Sequence, residues 1–486
     1  MSFDLNTVLI FGGLILLISV LSSKLLYRVG VPTLIIFLSL GMLVGSEGIG
    51  GIQFEDYNIA EMVASFGLIF IIFFGGMGIN WKTARPIAVK ASLLSSIGVV
   101  ITALTLGVFA SFILPITILE GLLLGAIVSS TDAAAIFSIL RSRNLNLKHN
   151  LAPMLEMESA SNDPFAFMLT IIFVSAINLT NDVPIGLMLL QQVVFGLGLG
   201  AIIGLVGSFL LKKIAIEIDG LYPILIIAIV FILFSLSQII GGNGYLAVFV
   251  AGIILGNSAI PNKYSIVRFF DGLSWLMQII LFYTLGLLVF PSQLLPVALS
   301  GLVIALFLIF VARPIAVFGI LSFFKVPVKQ QLFISWVGLR GAASVVFATY
   351  ALKAELDSSN LIFNTVFFIA LFSVLIQGSF IPLVAKKLNL IGDEENVMKT
   401  FTDYVEDTYD TLIEIELKKD SPVVEKHIMD LKLPENVLII MIKRQNKVIT
   451  PRGSTVLHPG DKLVVSGESR HVIEECINHY KPVKNH

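Results

Sequence analysis

The 486-residue chain has a single cysteine, Cys476, and only 13% charged residues, about half the share usual in a soluble domain. One cysteine excludes a disulfide scaffold. A net charge of −1 without any basic stripe excludes a nucleic-acid binder. The six histidines stand at His149 or beyond residue 420, so no apolar stretch contains one. There is no Walker motif, which excludes a transport ATPase, and no HExxH pair, Cys/His metal set or Ser-His pairing in the apolar stretches, which argues against an intramembrane enzyme. What is abundant is apolar surface, at 56% of residues. The scarce charge is also unevenly spread. Residues 1–390 carry 35 charges, about 9%, whereas the last 96 residues carry 30, about 31%. The first part needs lipid as its solvent, and the tail has the composition of an ordinary water-soluble domain.

Thirteen apolar segments of roughly bilayer-spanning length follow one another, near 7–25, 31–46, 59–79, 87–113, 116–140, 154–177, 184–211, 220–239, 243–257, 265–290, 294–323, 329–352 and 361–386. The second and ninth are short and contain glycine. Met1 to Asn6 carry no basic residue, so segment 1 reads as a retained helix and not as a cleaved signal. Sixteen lysines and arginines flank the loops after odd-numbered segments, and only Lys353 lies in the opposite set. The positive-inside rule then predicts an outer amino terminus and a cytoplasmic tail in a multi-pass protein of the cytoplasmic membrane.

The chain also matches itself at an offset of 211 residues. Gly41-Met42-Leu43-Val44-Gly45 lies over Gly252-Ile253-Ile254-Leu255-Gly256, the run ending at Gly75 lies over that ending at Gly286, and Ser130 to Ala134 lies over Gly341 to Val345. The offset spans seven segments, an odd number, so the two copies are predicted to lie upside down relative to each other. Inverted repeats with interrupted helices at matching positions are the signature of secondary transporters.

Ionisable residues inside spans are expensive and mark function. Glu61 and Glu120 lie near segment ends, where a carboxylate reaches the interface; Asp271 and Arg313 are open between structural and functional roles. The dense cluster is Thr131 and Asp132 in segment 5, Glu156, Glu158, Asn162 and Asp163 in segment 6, and Arg340 in segment 12. Glu158 and Asp163 stand five residues apart, about 140° around a helix, so they divide their labour. One is expected to pair structurally, with Arg340 as the natural partner, and the other to titrate. Pro164 frees a backbone carbonyl one turn earlier. With no histidine available, a proton must ride a carboxylate. Burial disfavours a charged carboxyl, so proton and cation compete for one group.

With Ser130-Thr131-Asp132-Ala133-Ala134, Glu158-Ser159-Ala160-Ser161-Asn162-Asp163 and Gly338-Leu339-Arg340-Gly341-Ala342 in view, the membrane part resembles the NhaP-type sodium/proton exchangers of the cation:proton antiporters. The resemblance implies an all-α polytopic membrane protein with inverted repeats and two broken helices, 5 and 12, crossing near the bilayer centre. It implies that Asp163 alternately carries cation and proton, that Thr131 and Ser159 supply oxygen ligands, that Asn162 orients the site, that Asp132 neutralises or caps the crossing, and that Glu158 and Arg340 form a structural ion pair. An Asn before the aspartate marks electroneutral one-for-one exchange, by a core bundle sliding like an elevator against a dimerisation domain. No cofactor is implied. Some relatives add a glutamate from segment 3; here the chain reads Phe73-Phe74-Gly75-Gly76-Met77, and one carboxylate fewer suits the less strongly hydrated potassium ion over sodium.

After a linker at 391–405, the periodicity of 406–486 changes to a small α+β pattern. Strands are predicted at 412–417, 437–442, 447–450 and 462–466, and helices at 423–431 and 471–479. With Leu457-His458-Pro459-Gly460-Asp461-Lys462-Leu463, this order resembles the TrkA-C (RCK-C) domain. The resemblance implies a cytoplasmic regulatory module that pairs into a homodimer, is found on potassium transport proteins, and in some relatives holds a nucleotide or cyclic dinucleotide between paired copies. No G-x-G-x-x-G follows a strand, so the nucleotide-binding unit that often precedes this domain is absent. The competing reading is a regulated cation channel or uniporter. It lacks the T-V-G-Y-G filter of potassium channels.

Overall fold

A computed structural model gives the architecture. It describes residues 5–27, 34–54 and 56–392 except 144, 179–182, 215 and 355, and most of 412–466. The thirteen segments are helical: α1 (Leu5–Tyr27), α2 (Leu34–Val44), α3 (Tyr57–Gly78), α4 (Ala88–Ile113), α5a (Ile118–Val128) with α5b (Ala133–Ser142), α6 (Leu151–Ile177), α7 (Ile185–Lys213), α8 (Leu221–Ile239), α9 (Gly244–Asn257), α10 (Lys263–Leu287), α11 (Pro291–Phe324), α12a (Val328–Trp336) with α12b (Ala342–Lys353), and α13 (Ser359–Gln377). Eight of these are long and apolar enough to cross a membrane unbroken. Segments 5 and 12 are each two half-helices, as the small-residue interruptions predict.

Helix starts follow local chemistry. Asp56 accepts from the Asn58 and Ile59 amides at 3.1 and 3.0 Å and opens α3. Thr117 and Glu120 form a capping box at α5a, so Glu120 is a helix cap. Short π-helical turns interrupt α4 at Leu94–Gly98, α11 at Leu308–Ala312 and α13 at Ser373–Gln377. Such turns re-aim the residues that follow them.

Two bundles result. α4, both halves of α5, α6, α11, both halves of α12, and α13 pack together; α2, α3 and α7 to α10 pack together; α6 and α12b meet α3, α9 and α10 between them. The second bundle shows why the repeat is rich in glycine. A Cβ on Gly41 of α2 would lie 2.8 Å from the Cα of Gly286 in α10, and one on Gly252 of α9 would lie 3.1 Å from the Met77 nitrogen in α3. Gly41 and Gly252 are repeat mates, as are Gly75 and Gly286. Each repeat's second helix therefore crosses the other repeat's third helix at a glycine, the relation that a pseudo-two-fold axis requires.

The tail is a separate unit with an antiparallel sheet of order β1-β4-β2-β3: β1 (Leu412–Glu416), β2 (Leu438–Arg444), β3 (Lys447–Ile449) and β4 (Lys462–Ser466). Ile415, Ile439, Ile442, Leu463 and Val465 form its core with Val423, Leu431 and Leu457. All four predicted strands are present. The predicted helix over 423–431 is only a single 3-10 turn, Ile428–Leu431. Its backbone is engaged elsewhere: Glu425, at φ 61°, donates to Leu457 O at 2.8 Å, and Leu457 donates to Lys426 O at 3.1 Å. The predicted helix over 471–479 and the linker at 393–405 lie outside the described residues.

Arg444 grips Asp461 with two hydrogen bonds of 2.8 Å, and the His458 amide adds a third at 2.9 Å. Burial opposes ionisation of Asp461, yet the Arg444 fork and the His458 amide together hold its carboxyl below the usual carboxylate range. A carboxylate depressed in the native state stabilises the fold above its unfolded pKa, and that stability disappears as pH falls through the depressed native value. Arg444→Met is expected to cost the tail about 2 kcal/mol at neutral pH and to flatten the acid limb of its stability. Thermal unfolding of the tail measured from neutral to acidic pH checks both.

Candidate ion site

Where α5 and α12 break, backbone carbonyls and amides lose their helical partners and must find others. The two interruptions answer each other. The Asp132 amide donates to Leu339 O at 2.8 Å. Arg340, 1% exposed, sends one guanidinium nitrogen to Ser129 O at 2.7 Å and Ser130 O at 2.8 Å, at the carboxyl end of α5a. Asp132 accepts from the Ala135 amide at 3.2 Å, at the amino end of α5b. Each half-helix of α5 thus meets a charge opposite to its own dipole at the break. The Arg340 amide reaches the Ser373 hydroxyl at 3.1 Å, in the π-helical turn of α13. The Asp132 side chain occupies the space a Cβ on Gly341 would need, its Cγ only 2.6 Å away, so glycine is required there.

Helix α6 lies across this junction. Ser130 Oγ donates to Asp163 Oδ1, Asn162 Nδ2 donates to Thr131 Oγ1, and Ser159 Oγ donates to Thr131 O at 2.7 Å. All five expected site residues, Asp163, Asn162, Thr131, Ser159 and Asp132, come together at the crossing. Ser130, read in the sequence only as a small residue, is the direct partner of Asp163. Asn162 Oδ1 is buried with no hydrogen-bond donor. The Asp163 carboxylate with the neutral hydroxyl, amide and carbonyl oxygens of Ser130, Thr131, Ser159 and Asn162 is a donor set for a hard monovalent cation.

The expected Glu158–Arg340 pair is not what forms. Glu158 is held by Arg313, whose Nη2 lies 2.8 and 2.9 Å from its two carboxylate oxygens, with both side chains 2% exposed. Arg313 follows directly on the π-helical turn of α11 and passes Gly338, where a Cβ would sit 3.0 Å from its Nε. Arg340 is instead occupied with the α5a carbonyls. A second residue absent from the sequence reading is Asn243, 1% exposed, which starts α9 and donates to Pro164 O at 2.7 Å. It ties the proline-disturbed stretch of α6 to the other bundle.

Along one stripe of α6, Glu156, Ala160 and Asp163 are half-buried, and the next residue on that stripe, Phe167, is 3% exposed. The half-exposed route along this stripe thus extends from near the start of α6 to Asp163 and ends one turn beyond it, at Phe167.

The family model described as "Sodium/hydrogen exchanger, transmembrane" matches residues 13–387, and that of the TrkA-C domain matches residues 412–475. The chain is 37% identical to the "K(+)/H(+) antiporter NhaP" of Alkalimonas amylolytica over 466 residues, covering 95% of this chain and 81% of that protein. It is 36% identical to the "K(+)/H(+) antiporter NhaP2" of Shewanella sp. (strain ANA-3) over 474 residues, covering 96% and 82%. The structure of the sodium proton antiporter MjNhaP1 from Methanocaldococcus jannaschii at pH 8 shares the fold, with a TM-score of 0.70 at 24% identity, over 79% of this chain and 99% of that one.

Removing one partner of a buried ion pair strands the other charge. Arg313→Met is expected to destabilise the solubilised protein by about 3–5 kcal/mol, and Arg313→Met with Glu158→Leu to recover most of that loss. Thermal unfolding in detergent checks it; a double variant no better than the single one would contradict the pairing.

Proposed function

Because the chain belongs to the transmembrane sodium/hydrogen exchanger family, it is a cation/proton antiporter, and we propose that it exchanges potassium for protons one for one, with Asp163 as the alternating carrier. The observation that carries this reading is the charge arrangement at the crossing. Glu158 is matched by Arg313, and Asp132 and Arg340 oppose each other across the α5 break. Asp163 accepts from the Ser130 hydroxyl, and its neighbour Asn162 donates to the Thr131 hydroxyl. A proton on Asp163, or a monovalent cation beside it, leaves the same buried charge. Either form can cross in a low-dielectric setting, whereas an empty, ionised Asp163 is the costly state. Coupling follows from that cost.

In this mechanism the cation binds Asp163, Thr131 and Ser159, with Asn162 holding Thr131 in place. Ser130 donates to the ionised carboxylate and turns away when the proton arrives. The bundle built on α4 to α6 and α11 to α13 slides against the other and presents Asp163 to each side in turn. Potassium is favoured because the helix opposite Ala160 presents Gly75, where a Cβ would lie 3.6 Å from that of Ala160, and no second carboxylate. The names of the relatives from Alkalimonas and Shewanella point the same way. The amino terminus lies outside and the tail, after a linker at 391–405, lies in the cytoplasm. There the domain at 406–486 regulates transport as a homodimer, with a nucleotide or cyclic dinucleotide as its ligand class.

In proteoliposomes, a potassium gradient is expected to drive proton movement that Asp163→Asn abolishes. Thr131→Val is expected to weaken apparent potassium affinity about tenfold, the loss of one hydroxyl ligand. Potassium-driven proton flux surviving Asp163→Asn, or sodium outperforming potassium in the same vesicles, would overturn the reading.

A further inference from the structure

Just beyond Phe167, at the end of the route opposite to the opening, the two bundles are joined by a polar contact that the exchange reaction does not use. Glu61 and Ser65 stand one turn apart on α3, and Tyr350 and Lys353 one turn apart on α12b. Lys353 Nζ meets Glu61 Oε2 at 2.9 Å, Ser65 Oγ donates to Glu61 Oε1 at 3.0 Å, and the Ser65 and Tyr350 hydroxyls lie 2.8 Å apart. Beneath this contact Phe167 is boxed edge-on by Tyr245 of α9 at 4.6 Å and Tyr350 at 5.3 Å. Phe167, Tyr350 and Lys353 belong to the bundle that carries Asp163; Glu61, Ser65 and Tyr245 belong to the other.

We propose that Glu61–Lys353 and Ser65–Tyr350 form a latch that seals this end of the ion route over Phe167 and biases the resting protein toward the state with Asp163 open at the other end. No sliding of one bundle past the other can open this end while these bonds hold. The groups are suited to reversible breakage. Lys353 is 47% exposed and Glu61 12%, so water replaces each partner at small cost when they part. The inverted repeat supplies the second argument. An offset of 211 puts Gly272 and Leu276 where Glu61 and Ser65 would recur, and Ile139 and Ser142 where Tyr350 and Lys353 would. The ion pair and the hydroxyl pair therefore do not recur at the repeat-related positions. The latch is thus a feature of one end and not of its repeat mate, and it favours the state in which it is closed. The assignment of this end to the outer face rests on the orientation proposed above.

The test uses the full chain with Cys476→Ser and a reporter, Ala160→Cys, in right-side-out and inside-out membrane vesicles, probed with a membrane-impermeant maleimide. With the latch intact, the reporter is expected to label from the cytoplasmic side and hardly at all from outside. Glu61→Gln and, separately, Tyr350→Phe are expected to raise labelling from outside about fivefold to tenfold, the population shift that follows from losing one hydrogen bond. The charge swap Glu61→Lys with Lys353→Glu is expected to restore the intact pattern. Cytoplasmic-side labelling retained at more than half its rate identifies folded variants. Outside labelling unchanged in both single variants overturns the latch, and outside labelling of the intact chain overturns its placement. Because labelling requires no transport, a failure of the potassium/proton reading would leave this result unaffected.

Discussion

Every charge buried at the crossing of α5 and α12 must be answered by another charge or by a dipole, since an unmatched one costs several kcal/mol. The architecture around the site follows from that constraint. Arg313 answers Glu158, Arg340 answers the carboxyl end of α5a, and Asp132 answers the amino end of α5b. Breaking two helices is tolerable only because the strands of backbone between the halves bond each other, Asp132 to Leu339, and because Ser373 of α13 takes up the Arg340 amide. Asp163 is held by a neutral hydroxyl, that of Ser130, and not by an arginine. That residual carboxylate is where a proton or a cation completes the balance.

The same constraint explains the division into two bundles. The crossing, α6 and their arginines form a bundle whose buried charges are answered internally, and its boundary with the other bundle includes packed rings, Phe167 against Tyr245 of α9. Apolar boundaries slide at low cost, whereas polar ones hold. Polar attachments such as Asn243 to the Pro164 carbonyl, Ser292 to Glu47 and the pairs between α3 and α12b are therefore places where the boundary has a preferred position. On the other side of α3, backbone contacts at Gly41–Gly286 and at Gly252 hold the second bundle together.

Much of this was legible in the residues. Hydropathy alone marks the thirteen segments, and Ser130 to Ala134 with Gly338 to Ala342 mark the breaks, because runs of small and polar residues do not continue a lipid-facing helix. The convergence of Asp163, Asn162, Thr131, Ser159 and Asp132 was legible too. The partner of Glu158 was not. Two arginines, Arg313 and Arg340, are compatible with it by sequence, and the choice depends on the π-helical turn at Leu308–Ala312 that re-aims α11 and on the room left by Gly338. Ser130 and Asn243 escaped because a hydroxyl or an amide at a helix end reads first as a break or a cap. In the tail, residues 423–431 have an apolar spacing compatible with a helix, but hydrogen bonds to the segment 453–457 take up their backbone instead.

The central claim is that the buried charge is the same whether Asp163 carries a proton or a potassium ion. Its most direct test is proton flux in proteoliposomes with equal potassium and equal pH on both sides, while a membrane potential is imposed by an impermeant-ion-free ionophore system independent of potassium. The account predicts no flux at any voltage. A flux that grows with the imposed potential and reverses with its sign would show net charge crossing in each cycle and would contradict it.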